Sequence, residues 1–249
     1  MRPDVYFSYL TGGLWVVALL IYGVRVVSHG VVHSERVSRI GGTALVGRGI
    51  MDATYWLIDP IVRGLAAIGI TPNHLTWSAL VFGLGAGAAL GFGWFGLACL
   101  LATISTIGDI LDGQVARLTN SGTARGELLD AAVDRYTEFA FLAGLVFIVR
   151  DSTWQLLFVL GAVLASFMVS YASAKAEALQ VSPPRGLMRR HERSTWLIIG
   201  SGLCPLIGIS LTARGWPYAT PVLVAAAVVA VIGNVAAVQR LVRIGRALR

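Results

Sequence analysis

The chain has 249 residues, 56% hydrophobic and only 13% charged, with a mean hydropathy of +0.73. Soluble domains carry about 25% charged residues, so these figures exclude a water-soluble globular protein. They point to an all-α polytopic membrane protein whose length suits one helical bundle. The net charge of +7 does not imply nucleic acid as a partner, because the basic residues gather at helix ends with no basic strip interleaved with exposed aromatics.

In chain order, hydropathy predicts seven membrane-crossing helices, over residues 5–27, 73–92, 94–118, 123–149, 153–179, 194–213 and 217–240. Each approaches or exceeds the ~20 residues needed to cross a bilayer. The first run is too long for a cleavable signal peptide, and it lacks a basic leader and a small-residue cleavage site. Residues 28–70 differ. They mix Glu35, Arg36, Arg39, Arg48, Asp52, Asp59 and Arg63 with Val, Ile, Leu and Trp, which predicts a linker and then an interfacial amphipathic helix over 47–69. Thr71-Pro72-Asn73 reads as a helix start, with Thr71 capping and Pro72 in the first turn. Gly83, Gly85, Gly87, Gly91 and Gly93 crowd one span, as close helix packing through small residues requires. Cys99 and Cys204 lie in separate apolar runs and form no disulfide or zinc framework. His29, His33, His74 and His191 have no metal-type spacing.

Arg2, Arg150 and Arg214 fall on one side of the membrane, and the other 17 of the 20 Lys and Arg on or toward the opposite side. The positive-inside rule makes that second side cytoplasmic. The N-terminus is then outside and the C-terminus inside. Arg240, Arg243, Arg246 and Arg249, three residues apart at the end of the chain, read as an anchor on anionic headgroups of the membrane lipid.

One stretch breaks the apolar pattern. Residues 109–134 contain Asp109-x2-Asp112-Gly113-x2-Ala116-Arg117-x8-Gly126-x3-Asp130-x3-Asp134. Carboxylates inside hydrocarbon are costly, and a cluster of them marks a functional site by default. Asp109, Asp112 and Ala116 share one helical face, as do Gly126, Asp130 and Asp134. The short polar connection over 119–122 makes the two helices antiparallel neighbours, which sets Asp109 level with Asp134 and Asp112 level with Asp130. Four close carboxylates need counter-charge, and hard divalent cations bound through oxygen supply it. Gly113 lets a substrate approach the backbone, and Arg117 offers a planar cation suited to phosphate. Together these residues describe phosphoryl-type transfer. A structural ion network of Asp112 or Asp130 with Arg117, Arg125 or Arg135 is a poor alternative, since so few arginines neutralise the acids inefficiently. A cation transporter would place its acids on several spans or show an inverted repeat, and a membrane scaffold would tolerate loss of Asp134.

The skeleton resembles, position by position, the signature of the CDP-alcohol phosphotransferases, and the resemblance extends over residues 45–240. It implies a six-helix core, with the first span as an extra element. The chain then divides into an N-terminal helix and linker (1–44) and a CDP-alcohol phosphotransferase membrane domain (45–249). By the same resemblance, Asp109, Asp112 and Asp130 hold two Mg²⁺ or Mn²⁺ ions. Asp134 is the base for the acceptor hydroxyl and also touches a metal. Gly113, Ala116 and Arg117, with Asp112, line the CDP site, and Thr71 and Asn73 border the nucleotide. The implied donor is CDP-diacylglycerol or a related CDP-alcohol, and a homodimer is expected by analogy with relatives.

Residues 128–138 (LLDAAVDRYTE), 170–179 (SYASAKAEAL) and 188–193 (MRRHER) resemble the branch that makes phosphatidylinositol phosphate. That branch implies an acceptor carrying a phosphate. Lys175, Arg185, Arg189, Arg190 and Arg193 cluster at the ends of the fifth and sixth spans, where such an acceptor needs cations. Lys175, Arg185, Arg190 and Arg193 are taken as its binding residues. Glycerol phosphate, serine or a lipid alcohol are the alternative acceptors.

Overall fold

The computed structural model describes residues 3–30, 47–181 and 186–248. These form helices α1 (Pro3–His29), α2 (Arg48–Ala67), α3 (Pro72–Gly91), α4 (Phe95–Leu118), α5 (Ala124–Val149), α6 (Thr153–Ala178), α7 (Arg190–Thr212) and α8 (Thr220–Ala247), with no strand among the described residues. Six of the eight, all but α2 and α5, are long and apolar enough to cross a membrane. The 26-residue α5 is the remaining predicted span. It carries Asp130, Asp134, Arg135 and Glu138, so its sequence is long enough but too charged to match a plain lipid-facing helix. The interfacial helix expected over 47–69 is α2, with Pro60 inside it.

The bundle is built from two helix triplets. Helix α3 packs on both α4 and α5, α8 packs on α6 and α7, and α4 meets α7 between them. Leu90, Leu142, Leu145, Val159, Val222 and Val229 are sealed from solvent in the shared core. The α3–α5 contact depends on missing side chains. A Cβ on Gly87 would overlap the Ala140 backbone, one on Gly83 would strike Thr137, and one on Gly144 would strike Gly87. Small residues here let two helix backbones touch, which brings the acids of α5 toward α4.

Helix α1 docks on α4, α7 and α2. Near its start the buried Asp4 accepts a hydrogen bond from the Leu97 backbone N–H at 3.0 Å. That N–H lies in the first turn of α4, where no intrahelical partner exists, so the side chain of one helix caps another. Near its end Tyr22 packs against Trp56 of α2, ring centroids 5.9 Å apart, and Arg25 lies 6.0 Å from the same indole. Ile58 and Val62 of α2 bury against Leu111 and Val115 of α4. The interfacial helix is thereby fixed beside the motif.

The C-terminal arginines depart from the anchor reading at one position. Arg243 and Arg246 are exposed, as expected, but Arg240 turns inward and is only 6% exposed. The 3.6-residue helical period rotates a three-residue spacing by about 60° per step, so Arg240, Arg243 and Arg246 do not share a face.

Candidate active site

The motif spans α4, the turn after it and α5. The two helices scarcely touch directly and each packs on α3 instead, which corrects the expectation that they are packed neighbours. Its turn is built locally. Thr123 caps α5 by accepting from Gly126 N at 3.0 Å, and Asn120 adopts a left-handed φ of 50°, a conformation Asn tolerates. Asp109, Asp112 and Asp130 converge, each offering an oxygen, with the three atoms within 4.8 Å of one another. Thr76 of α3 donates to Asp112 Oδ2 at 2.6 Å and is itself buried. Asp130 Oδ1 is buried without a hydrogen-bond partner. Three carboxylates with an orphaned acceptor fit a hard divalent cation, which takes oxygen ligands.

Asp134 sits beside this trio rather than in it. Arg190 of α7 bridges to it: Nη1 donates to Asp109 Oδ1 at 2.7 Å, and Nη2 lies 2.5 Å from Asp134 Oδ1. Arg135 stands farther off, 3.9 Å from Asp134 Oδ2. One turn beyond Asp134, Glu138 is gripped by Arg193, with Nε to Oε1 at 2.6 Å and Nη2 to Oε2 at 2.9 Å. Arg193 is fully buried and also donates to Met188 O at 2.8 Å. Three of its five N–H donors are thus spent on the protein.

The residues expected on the nucleotide side come together. Thr71, Asn73, Asp112, Gly113, Ala116, Arg117 and Asp130 all line one cavity of about 880 Å³, within the range of small-molecule sites. An added Cβ on Gly113 would lie 3.4 Å from the Arg117 guanidinium, so glycine keeps that wall open. The expected acceptor residues divide. Arg190 reaches the acids, Arg193 is committed to Glu138, Lys175 is exposed at the end of α6, and Arg185 lies outside the described residues. Sequence reasoning missed Thr76, whose signal is only a hydroxyl one turn past the Thr71-Pro72 start. The structure pairs Glu138, one turn beyond Asp134, with Arg193. Arg190 is the arginine in direct contact with Asp109 and Asp134, with Arg135 farther from Asp134.

The sequence profile of the CDP-alcohol phosphatidyltransferases matches residues 69–244. The chain belongs to the CDP-alcohol phosphatidyltransferase family. Family membership makes it a multi-pass membrane transferase of phospholipid biosynthesis that acts on a CDP-alcohol. It is 32% identical to the phosphatidylinositol phosphate synthase of Corynebacterium glutamicum over 204 residues, covering 76% of this chain and 84% of that protein. The synthase of Mycobacterium marinum is 33% identical over 170 residues, 66% and 70% of the two chains. The fold is similar to crystal structures of Mycobacterium tuberculosis phosphatidylinositol phosphate synthase. The one with CDP-DAG bound aligns with a TM-score of 0.64 and 26% identity over 74% of this chain and 92% of that one. The one with manganese and citrate aligns with a TM-score of 0.65 and 26% identity over 74% and 87%.

Proposed function

We propose that this enzyme transfers the phosphatidyl group of CDP-diacylglycerol to a hydroxyl of inositol phosphate and releases CMP. The observation that carries the reading is the 880 Å³ cavity ending on Asp112 and Asp130, beside an arginine-rich region on α7. The relatives that are phosphatidylinositol phosphate synthases support the acceptor, and the M. tuberculosis complexes with CDP-DAG and with manganese support the donor and the metal.

Asp109, Asp112 and Asp130 hold Mg²⁺ or Mn²⁺, two ions being the expected number. When bound, the metal neutralises the diphosphate and the charge that develops on it. Thr76 fixes the Asp112 carboxylate in place, and Arg117 and Gly113 seat the CDP phosphates against the wall of the cavity. Asp134 takes the proton of the acceptor hydroxyl, whose oxygen forms a bond to the β-phosphorus. The bond from that phosphorus to the bridging oxygen breaks, and CMP leaves with the electron pair. Such transfer depends on positioning and charge neutralisation. Arg190 holds Asp134 and Asp109 in register, and Lys175 adds a cation at the acceptor end. The motif turn faces the cytoplasm, where water-soluble acceptor and CMP exchange.

The test is CMP release by purified protein given CDP-diacylglycerol, Mg²⁺ or Mn²⁺ and one acceptor at a time. Inositol phosphate is expected to support turnover and inositol, serine and glycerol phosphate not. Asp134→Asn is expected to lose at least about 10²-fold in rate with metal-induced thermal stabilisation retained. Turnover with glycerol phosphate or serine alone would discard the acceptor and keep the chemistry. An active Asp134→Asn enzyme would remove the base.

A further inference from the structure

Helix α1 lies outside the residues that the family profile matches, and it docks on the bundle at its two ends rather than along its length. At the outer end Asp4, Val5, Ser8 and Thr11 are buried. An added Cβ on Gly96 of α4 would overlap the Asp4 carbonyl, and Thr11 lies against the Cys99 thiol. The next buried residue is Tyr22, which rests on Trp56 of α2. Thr11, Trp15, Ala18 and Tyr22 share one helical face. Trp15 is nevertheless 38% exposed and Ala18 only half-buried. At the level of Leu111 and Val115 it is α2, through Ile58 and Val62, that covers α4. Helices in contact at Gly96 have thus parted a few turns later. Among the described residues no side chain seals the face that carries Trp15 and Ala18.

The open stretch runs beside the acids. Contacts advance along both helices together, from Asp4 at Leu97 to Thr11 at Cys99, so Trp15 and Ala18 stand beside the half of α4 that carries Thr106 and Asp109. The other seams around the acids offer no apolar way in. Gly83, Gly87 and Gly144 bring α3 against α5, and Ser105 of α4 donates to Ala79 O of α3 at 2.7 Å. The side where α5 faces α7 carries the charged pairs of Arg190 and Arg193. Between α4 and α7 a cavity of about 50 Å³ descends from Arg190 and Glu138 to Ala102, Leu197 and Ile198, turning from polar to apolar with distance from the acids. Helix α1 packs on these same two helices.

We propose that α1 is the outer wall of a slot for an acyl chain of the donor. The slot lies against the halves of α4 and α7 nearest the acids, and it ends where α1 closes on α4 at Thr11 and Cys99. This rests on CDP-diacylglycerol as donor and names what bounds its chains. A donor whose phosphorus stands at the aspartates must send its chains into hydrocarbon, and the α1 side is the apolar exit beside them. From Asp109 back to Cys99 the helix runs about 15 Å. Lipid tails are as apolar as the slot, so burial there adds little affinity. The slot acts by shape instead, admitting chains that fit and obstructing longer ones. The wall takes no part in the chemistry, so removing α1 opens the slot without ending turnover.

The experiment measures kcat/KM for dioctanoyl, dipalmitoyl and longer-chain CDP-diacylglycerol in mixed micelles of neutral lipid. It compares the wild type with Ala18→Trp, Trp15→Ala and, as control, Leu20→Trp, whose side chain points away from the bundle and is 63% exposed. Ala18→Trp fills the slot, and its dipalmitoyl value is expected to fall about tenfold or more while the dioctanoyl value stays within about twofold. Trp15→Ala raises the value for the longest chains, and Leu20→Trp changes none. An Ala18→Trp enzyme that treats both donors as the wild type does, or loses both alike, overturns the proposal. The wild type supplies a second measurement that needs no variant to fold. A CDP-diacylglycerol with a diazirine at one chain end is photolysed on it and the labelled peptide sequenced. Label is expected within residues 11–18 and is displaced by excess unlabelled donor. Label there that excess donor does not displace marks bulk lipid, and displaceable label confined to other helices places the chain elsewhere. Either result sinks the slot. A wild type that releases CMP from other CDP-alcohols and from no CDP-diacylglycerol overturns the donor reading itself, a result visible before any chain length is compared.

Discussion

Glu138 and Arg193 meet across 55 positions of sequence with two parallel hydrogen bonds and no exposure of the arginine. Removing one partner strands a charge in the core, so Arg193→Ala is expected to cost about 3–5 kcal/mol of stability. Glu138→Ala should cost a similar amount, and the double variant clearly less than the sum of the two, because each single loss includes the penalty of the abandoned charge. Thermal or denaturant unfolding of the three variants checks this, and simple additivity would show that the pair does not act as a unit. The contrast with the aspartates explains what sequence reveals at this scale. The motif acids are legible because they lie within one hairpin at helical spacing and stand out against hydrocarbon-type sequence. Thr76, Glu138, Arg190 and Arg240 find their partners only through the packing of distant helices. Local spacing says which face a residue occupies, not which helix will cover that face. Arg193 illustrates the limit: a cation near the acceptor end of the bundle reads as a ligand, while its guanidinium is already engaged by the protein.

The helix pair α3–α5 is where a single methyl group should matter most. Gly87→Ala places a Cβ into the Ala140 backbone, so the two helices must separate. The expected loss is about 1–3 kcal/mol of stability, with a fall in CMP release as α5 carries Asp130 and Asp134 away from α4. Gly85→Ala is the control two residues away. Its Cβ would meet only Leu101 Cδ1 at an ordinary 3.5 Å, so it should be neutral or slightly stabilising through helix propensity. Equal damage from both substitutions would mean that glycine matters here for reasons other than contact. The extra helix α1 offers a second case. Asp4→Ala uncaps α4 and should lower stability by about 0.5–2 kcal/mol. Deleting residues 1–44 is expected to lower Tm further while sparing turnover. Loss of turnover in a folded truncation would overturn the division of the chain at residue 44. Hydropathy found the helices themselves within a few residues, except that α8 runs on to Ala247, seven residues past its expected end. It placed the start of α7 four residues late, because Arg190, His191, Glu192 and Arg193 look like a polar loop until two of them are seen to be buried.

Across the whole molecule the proposed chemistry sits on a seam. Helices α2 to α5 form the cavity that would receive the nucleotide, α6 to α8 form the arginine-rich side, and the four aspartates lie between them. Metal removal should therefore act on both halves at once. A chelator is expected to abolish CMP release and to lower Tm, and Mg²⁺ or Mn²⁺ to restore both, since a ligand that binds only the folded state stabilises it. Full activity in chelator would remove the metal from the proposed reaction. Helices α3 and α4 on the nucleotide side are long and apolar enough to cross a membrane, and under the proposed function this has a kinetic meaning. An acyl-chain donor need never leave the bilayer to reach Asp112, whereas a sugar phosphate must arrive from water. One substrate is then searched for in two dimensions and the other in three. The quantity that saturates the donor side is its mole fraction among the surrounding lipids, not its amount per volume of buffer. Diluting the donor with inert lipid at constant total donor slows the enzyme, and diluting the whole suspension at constant composition does not.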